Sequence, residues 1–297
     1  MRPALGPPTP ARARLADAPR RVYDTRMQHP VARYAVLALG VALCVAVMVP
    51  VVPFLSSERG IAGPTALDAI HPVRAAIALA VGSALCTAVA CAVGRLINAA
   101  VGVFVLGCGL AVLAGRCGTI TDAAFDGDRL LPIAGETLCW GVAALAMSAA
   151  VFRASGPLLD IPARDPKGPF LAEVFNADAL RGALSGIVAV AVAWFLLRTD
   201  MKGQAIGTAV VAGALAAIAA RRLQPGVQPI LLMAAPVFAF GAAQAFTAMT
   251  ASGPLDAAVV SGSLPGWSRA MPIDVAAGTL IGVPVGLGWS KPSPQGE

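Results

Sequence analysis

The sequence predicts an all-α, polytopic transmembrane helix bundle, and three observations carry that reading. Hydrophobic residues make up 57% of the 297 positions, charged residues only 13%, and mean hydropathy is +0.75. A soluble domain carries about 25% charged residues, so this chain could not cover a water-facing surface of ordinary size. The second observation is a hairpin: Gly182 to Leu197 is uncharged and apolar, Arg198-Thr199-Asp200-Met201-Lys202 interrupts it, and a second apolar run extends from Gly203 to Ala220, where Arg221-Arg222 stops it. Two apolar rods joined by so short a charged turn must be antiparallel neighbours. The third is that the rest of the chain repeats this pattern. It gives about eight spans, at 31–55, 75–93, 96–114, 131–152, 182–197, 203–220, 229–249 and 271–289, or seven plus a re-entrant segment.

Residues 1–30 are rich in Pro, Ala and Arg, and cannot bury enough apolar surface to order themselves. They are expected to form a disordered basic cytoplasmic tail, solvated or touching anionic headgroups. In the first span Pro30 suits a helix start, and 24 uncharged residues between Arg33 and Glu58 exceed the ~20 needed to cross. The span starts late and no A-x-A site follows it, so it is read as an uncleaved signal anchor bent or ended by Pro50 and Pro53. The second span ends at Gly94-Arg95 and the third follows at once, with Asn98 near its start as an expected interhelical hydrogen bonder. Asp122, Asp126 and Asp128 then form an acidic loop without EF-hand spacing, read as solvated or as a cation-attracting vestibule.

The fourth span opens at Pro132 and carries Glu136. Four prolines break 155–169, and 170–180 is expected as one short amphipathic helix in the headgroup region, with Phe170, Leu171, Val174 and Phe175 on one face. The fifth span has only 16 uncharged residues, ~24 Å of helix, and must draw length from Asp178–Arg181 or let Arg181 and Arg198 snorkel. The seventh carries Gln244. The last run holds Gly278, Gly282 and Gly286 one turn apart, a face that permits close backbone approach. Pro284 interrupts its hydrogen-bond ladder, which leaves spanning and re-entrant readings open. Residues 290–297 are a short C-terminal tail.

With eight spans and a cytoplasmic N-terminus, 15 of the 22 Lys and Arg fall inside and 7 outside. The bias supports both termini inside, and the membrane is expected to be an inner (plasma) membrane. Spans two to four and five to seven share a plan: a start after arginine, a tight turn, a second helix closed by arginine, a third opened by proline. Three spans is an odd number, so such a duplication would be an inverted repeat.

Ionisable groups inside spans mark candidate function. Glu136, Gln244 and Asp274 share one depth range and form a candidate outward-facing polar cluster for a cation, proton or small polar solute. The competing structural reading has Asp274 complementing a helix N-terminus, Glu136 reaching headgroup water and Gln244 joining helices. Arg198, Asp200 and Lys202 charge the hairpin turn at the same end. The two histidines, His29 and His71, open spans from opposite sides and cannot form an acid–base pair. No H-E-x-x-H, G-x-S-x-G, Walker A or G-x-G-x-x-G occurs, so neither an enzyme, a metal nor a cofactor is implied. Six cysteines without C-x-x-C spacing are expected as unpaired thiols, with a Cys117–Cys139 disulfide as the alternative. The net charge of +6 is scattered between apolar runs and carries no nucleic-acid signature. The expected partners are the lipid bilayer, a second copy or another membrane protein, and an unidentified solute or ion. Two functions fit: a small-solute or ion transporter or channel using the polar cluster, or an assembly subunit packed through small-residue helix faces.

Overall fold

The computed structural model describes residues 29–158, 160, 161, 170–251 and 253–290. The basic tail, the stretch holding Arg164 and Lys167, and residues 291–297 lie outside the described residues. Among the described residues the regular elements are helical, with one isolated bridge between Ser56 and Ala62.

Helix α1 (Pro30–Met48) continues as a 3-10 segment, Val49–Leu55, because Pro50 and Pro53 cannot donate to an α ladder. Helices α2 (Pro72–Leu96) and α3 (Ala99–Ala114) follow. Asn98 does not join helices as expected: its side chain accepts from the Val101 N–H at 2.9 Å and caps α3, leaving that helix 16 residues long. A short α4 (Ile120–Phe125) precedes α5 (Leu130–Ser155).

The predicted amphipathic helix is instead two pieces, α6 (Phe170–Val174) and α7 (Ala177–Ala183), because Asn176 caps the second by accepting from the Ala179 N–H. Helix α7 runs on into α8 (Gly186–Leu196), and together they supply the 20 residues the fifth span needs. Next come α9 (Lys202–Leu223), a 3-10 turn at Leu231–Met233, α10 (Ala235–Thr250), α11 (Leu255–Val260) and α12 (Pro272–Trp289).

Among the described residues six segments are long and apolar enough to cross a membrane: Pro30–Leu55, Pro72–Leu96, Leu130–Ser155, Ala177–Leu196, Lys202–Leu223 and Pro272–Trp289. Large apolar side chains, among them Ile77, Val81, Val142, Ile187, Phe195, Phe246 and Met249, point outward from the bundle. That surface suits lipid rather than water, and the chain is a multi-pass membrane protein. Of the eight predicted spans, α3 and α10 are 16 residues each, or ~24 Å.

The last helix is continuous through Pro284 and does not turn back. It forms the centre of the bundle: 72% of its apolar stretch is buried, against 22% for α1. Helices α9 and α3 clasp it from two sides, with α5 and α10 beside it. On Gly278, Gly282 and Gly286 a β-carbon would collide with Ala209, the Val210 carbonyl and the Ala214 carbonyl of α9, whereas Gly288 faces open space. On the other side Gly107 of α3 lies against the backbone of Leu280 and Ile281. Helices α5 and α10 cross antiparallel and reciprocally: Phe238 sits on Gly141, and Leu138 sits on Gly241.

The loops at one end interlock into a cap. The Gly118 N–H donates to the Ala62 carbonyl at 2.9 Å, Arg59 pairs with Asp126, Thr121 donates to Asp200, and α11 packs on α4. At the other end Arg221 pairs with Asp160 at 2.7 Å, and Arg95 donates to the Ala154 carbonyl at 3.0 Å.

Candidate functional site

Helix α5 starts at the cap end and brings Glu136 up beneath the 62–70 loop. Thr65 shapes that loop, donating to the Asp68 carboxylate at 2.7 Å and accepting the Asp68 N–H at 3.2 Å. The turn aims the Ala66 N–H at both Glu136 oxygens, 3.1 and 3.2 Å away, with the Leu67 N–H and the Trp140 indole as further donors beside them. Among the described residues the carboxylate's partners are therefore loop backbone and an indole rather than a charged side chain.

Below this contact a cavity of about 490 Å³ lies between α2 and α5 and opens sideways. Its walls are almost wholly apolar, including Leu79, Ala80, Pro132 and Ala143, with Glu136 at its head. Ser83 also lines it, and its buried hydroxyl has no hydrogen-bond partner among the described residues.

The other two members of the predicted cluster are committed elsewhere. Gln244 accepts from Thr137 Oγ1 at 2.6 Å and donates to the Ala270 carbonyl at 2.8 Å, tying α5 and α10 to the approach to α12. Asp274 meets Lys202 Nζ at 3.0 Å through both carboxylate oxygens and accepts the Met271 N–H at 3.2 Å, so it caps the central helix and pairs it with the hairpin. The fold thus joins a hairpin charge, Lys202, and a residue of the polar cluster, Asp274, in one ion pair. Asp200 accepts from Thr121, while Arg198 turns outward and donates to the Phe195 carbonyl at 3.1 Å.

Cys117 lies within electrostatic range of Lys202, Asp274 and Glu136. Burial pushes its thiol up to about 12, which keeps it protonated and unreactive. Cys117 and Cys139 are not bridged, and the other described cysteines are free as well.

The three aspartates of the 117–129 connection, expected as a solvated loop or a cation-attracting vestibule, remain at least partly exposed and each has a defined neighbour. Asp122 accepts from the Thr119 N–H at 2.7 Å and caps α4, Asp126 pairs with Arg59, and Asp128 faces Asp68. Only the fold brings Arg59 to Asp126 and Asp68 to Asp128, whereas Asp122 binds within its own turn. Among the described residues no His, Cys, Asp and Glu side chains converge with metal-binding geometry.

Sequence reasoning missed the 62–70 loop as a donor set, Ser83 and Asp68. A backbone N–H has no sequence signal, and a single Ser in an Ala-rich helix looks like filler. In comparison with known proteins, no family model, no curated protein and no solved structure matches this chain.

Proposed function

We propose that this chain is a carrier in an inner (plasma) membrane for a lipophilic solute with a cationic or hydrogen-bond-donating head. The observation that carries this reading is the Glu136 groove: an apolar cavity open to the side, with one carboxylate at its head. A small site of this kind fixes orientation with few polar groups and gains affinity from apolar walls. The carboxylate has about four lone-pair positions, so it can accept from a ligand as well as from Ala66. Gln244 and Asp274 serve this reading as supports that hold α5, α10 and α12 in register.

In the same reading the chain crosses eight times with both termini inside, and α3 and α10 cross as short helices. The inverted repeat is part of the proposal, relating α2, α3 and α5 to α8, α9 and α10. Three neighbour relations support it. Helix α2 packs on α3 and α5 as α8 packs on α9 and α10; α3 and α9 flank α12; and the α5–α10 crossing is self-reciprocal at Gly141 and Gly241.

The test is binding of a fluorescent alkylammonium probe to the purified chain in mild detergent. Glu136→Gln keeps an acceptor but loses the charge, and is expected to weaken binding about tenfold, the scale of a charge-assisted hydrogen bond. Equal binding by parent and Glu136→Gln would overturn the reading. Absence of probe binding, together with co-purification of a stoichiometric membrane partner, would favour the assembly-subunit function instead.

A further inference from the structure

A second groove lies on the opposite flank of α2. It is formed where the 3-10 segment Val49–Leu55 turns away from the helix, and its volume is about 400 Å³. Pro50, Phe54, Ile77, Val81 and Leu85 supply apolar wall, and the sole charged residue lining it is Arg74. Arg74 is exposed in the first turn of α2, and no hydrogen bond or ion pair joins it to another described residue. From Arg74 to Leu85 is eleven residues of helix, ~17 Å, about half the ~30 Å hydrocarbon thickness of a bilayer. The groove thus runs the depth of one leaflet, with its cation at the headgroup end.

We infer that this groove is a binding site for one anionic phospholipid, its acyl chain lying along Ile77, Val81 and Leu85 and its phosphate on Arg74. Charge complementarity selects the occupant. An arginine offers a fork of N–H donors that fits phosphate oxygens, and here those donors have no acceptor among the described residues to compete for them. An arginine stem can lie along apolar surface while its head stays in the interface. The two grooves flanking α2 thereby differ in sign: Glu136 heads one and Arg74 the other, so a lipid suited to the second is repelled by the first. This inference does not depend on the Glu136 reading, since it uses other residues and another ligand class.

The test measures the affinity of a fluorescent phosphatidylglycerol for the purified full chain in mild detergent, with phosphatidylcholine of the same acyl chains as comparison. Phosphatidylglycerol is expected to bind about fivefold more tightly, the equivalent of ~1 kcal/mol for one basic residue at an anionic headgroup. Arg74→Gln should bring the two lipids level, and Arg74→Lys should keep most of the preference. Val81→Trp, at an outward-facing lining position, should weaken both lipids by filling the groove. Glycerol phosphate, which lacks the chains, should not compete. Arg116→Gln removes an exposed cation that does not line the groove, and should change nothing. The inference fails if the preference survives Arg74→Gln, if Arg116→Gln abolishes it equally, or if glycerol phosphate displaces the lipid.

Discussion

Lys202 and Asp274 are 72 residues apart in sequence and 3.0 Å apart in space, with the carboxylate side chain 1% exposed and the lysine 16%. The carboxylate has no solvent to fall back on, and the lysine little. Lys202→Met should therefore lose about 3–5 kcal/mol of stability, mostly from the carboxylate left unpaired. Adding Asp274→Asn should recover part of that loss in a detergent melting experiment. A single mutant as stable as the parent would mean that the pair holds nothing together. Asp128 makes the opposite case, an acceptor facing another acceptor. Its carboxyl is pushed up to about 7, first by burial and then by Asp68, Asp126 and Glu136, while the nearby cation Arg59 is engaged by Asp126. A carboxyl whose folded pKa lies above its unfolded value binds more protons folded than unfolded. Its stabilising contribution is fully present below about pH 4 and is lost as pH rises through about 7. The melting midpoint should fall from about pH 5 to pH 8 by this linkage, and Asp128→Asn should flatten the fall. A profile unchanged by Asp128→Asn would place the proton elsewhere.

At the scale of the element, α12 shows what glycine does in an apolar bundle. Its sequence reads as the weakest span, with Pro284 and repeated glycines, yet it is the most buried of the long apolar helices. The same glycines explain both facts: they lower intrinsic helix propensity and they let α9 approach to backbone contact. Gly282→Leu has no space beside the Val210 carbonyl and should cost about 1–3 kcal/mol or more through overpacking. Gly288→Leu meets nothing and should melt like the parent. Equal melting of the two variants would show that α12 is not held by this face. The reciprocal thiol contacts between α1 and α2, Cys44 Sγ to the Cys86 carbonyl at 3.8 Å and Cys86 Sγ to the Cys44 carbonyl at 3.6 Å, show small polar groups used the same way.

For the whole molecule, the two ends are built differently. One is a cap of interlocked loops and short helices; the other carries the exposed Arg222, the exposed Arg95–Ala154 contact and the Arg221–Asp160 pair. The alternation of loops between ends agrees with antiparallel crossings, and the distribution of basic residues gives the proposed sidedness. Single cysteines at Arg116 and at Arg222, in a chain cleared of native cysteines, should label with an impermeant reagent from opposite faces of intact cells and inverted vesicles. Labelling of both from the same face would overturn the proposed topology.

The sequence by itself determined the solvent of this protein and the positions of its helices. Both follow from local quantities: the near absence of charge, the length of each apolar run, and prolines such as Pro30, Pro72 and Pro132 near helix starts. It also singled out Glu136, Gln244 and Asp274 as polar groups within apolar runs, because that is a matter of reading residues along the chain. Tertiary structure alone decided what each of them meets. Glu136 binds the backbone of a loop 70 residues away, Gln244 spans to Ala270, and Asp274 finds Lys202. Helix periodicity tells which face a side chain lies on, but in an apolar chain every face is apolar, so no amphipathic stripe tells which helix that face will meet. The glycines that place α12 at the centre, and the two lateral grooves beside α2, likewise exist only where one backbone approaches another or turns away from it.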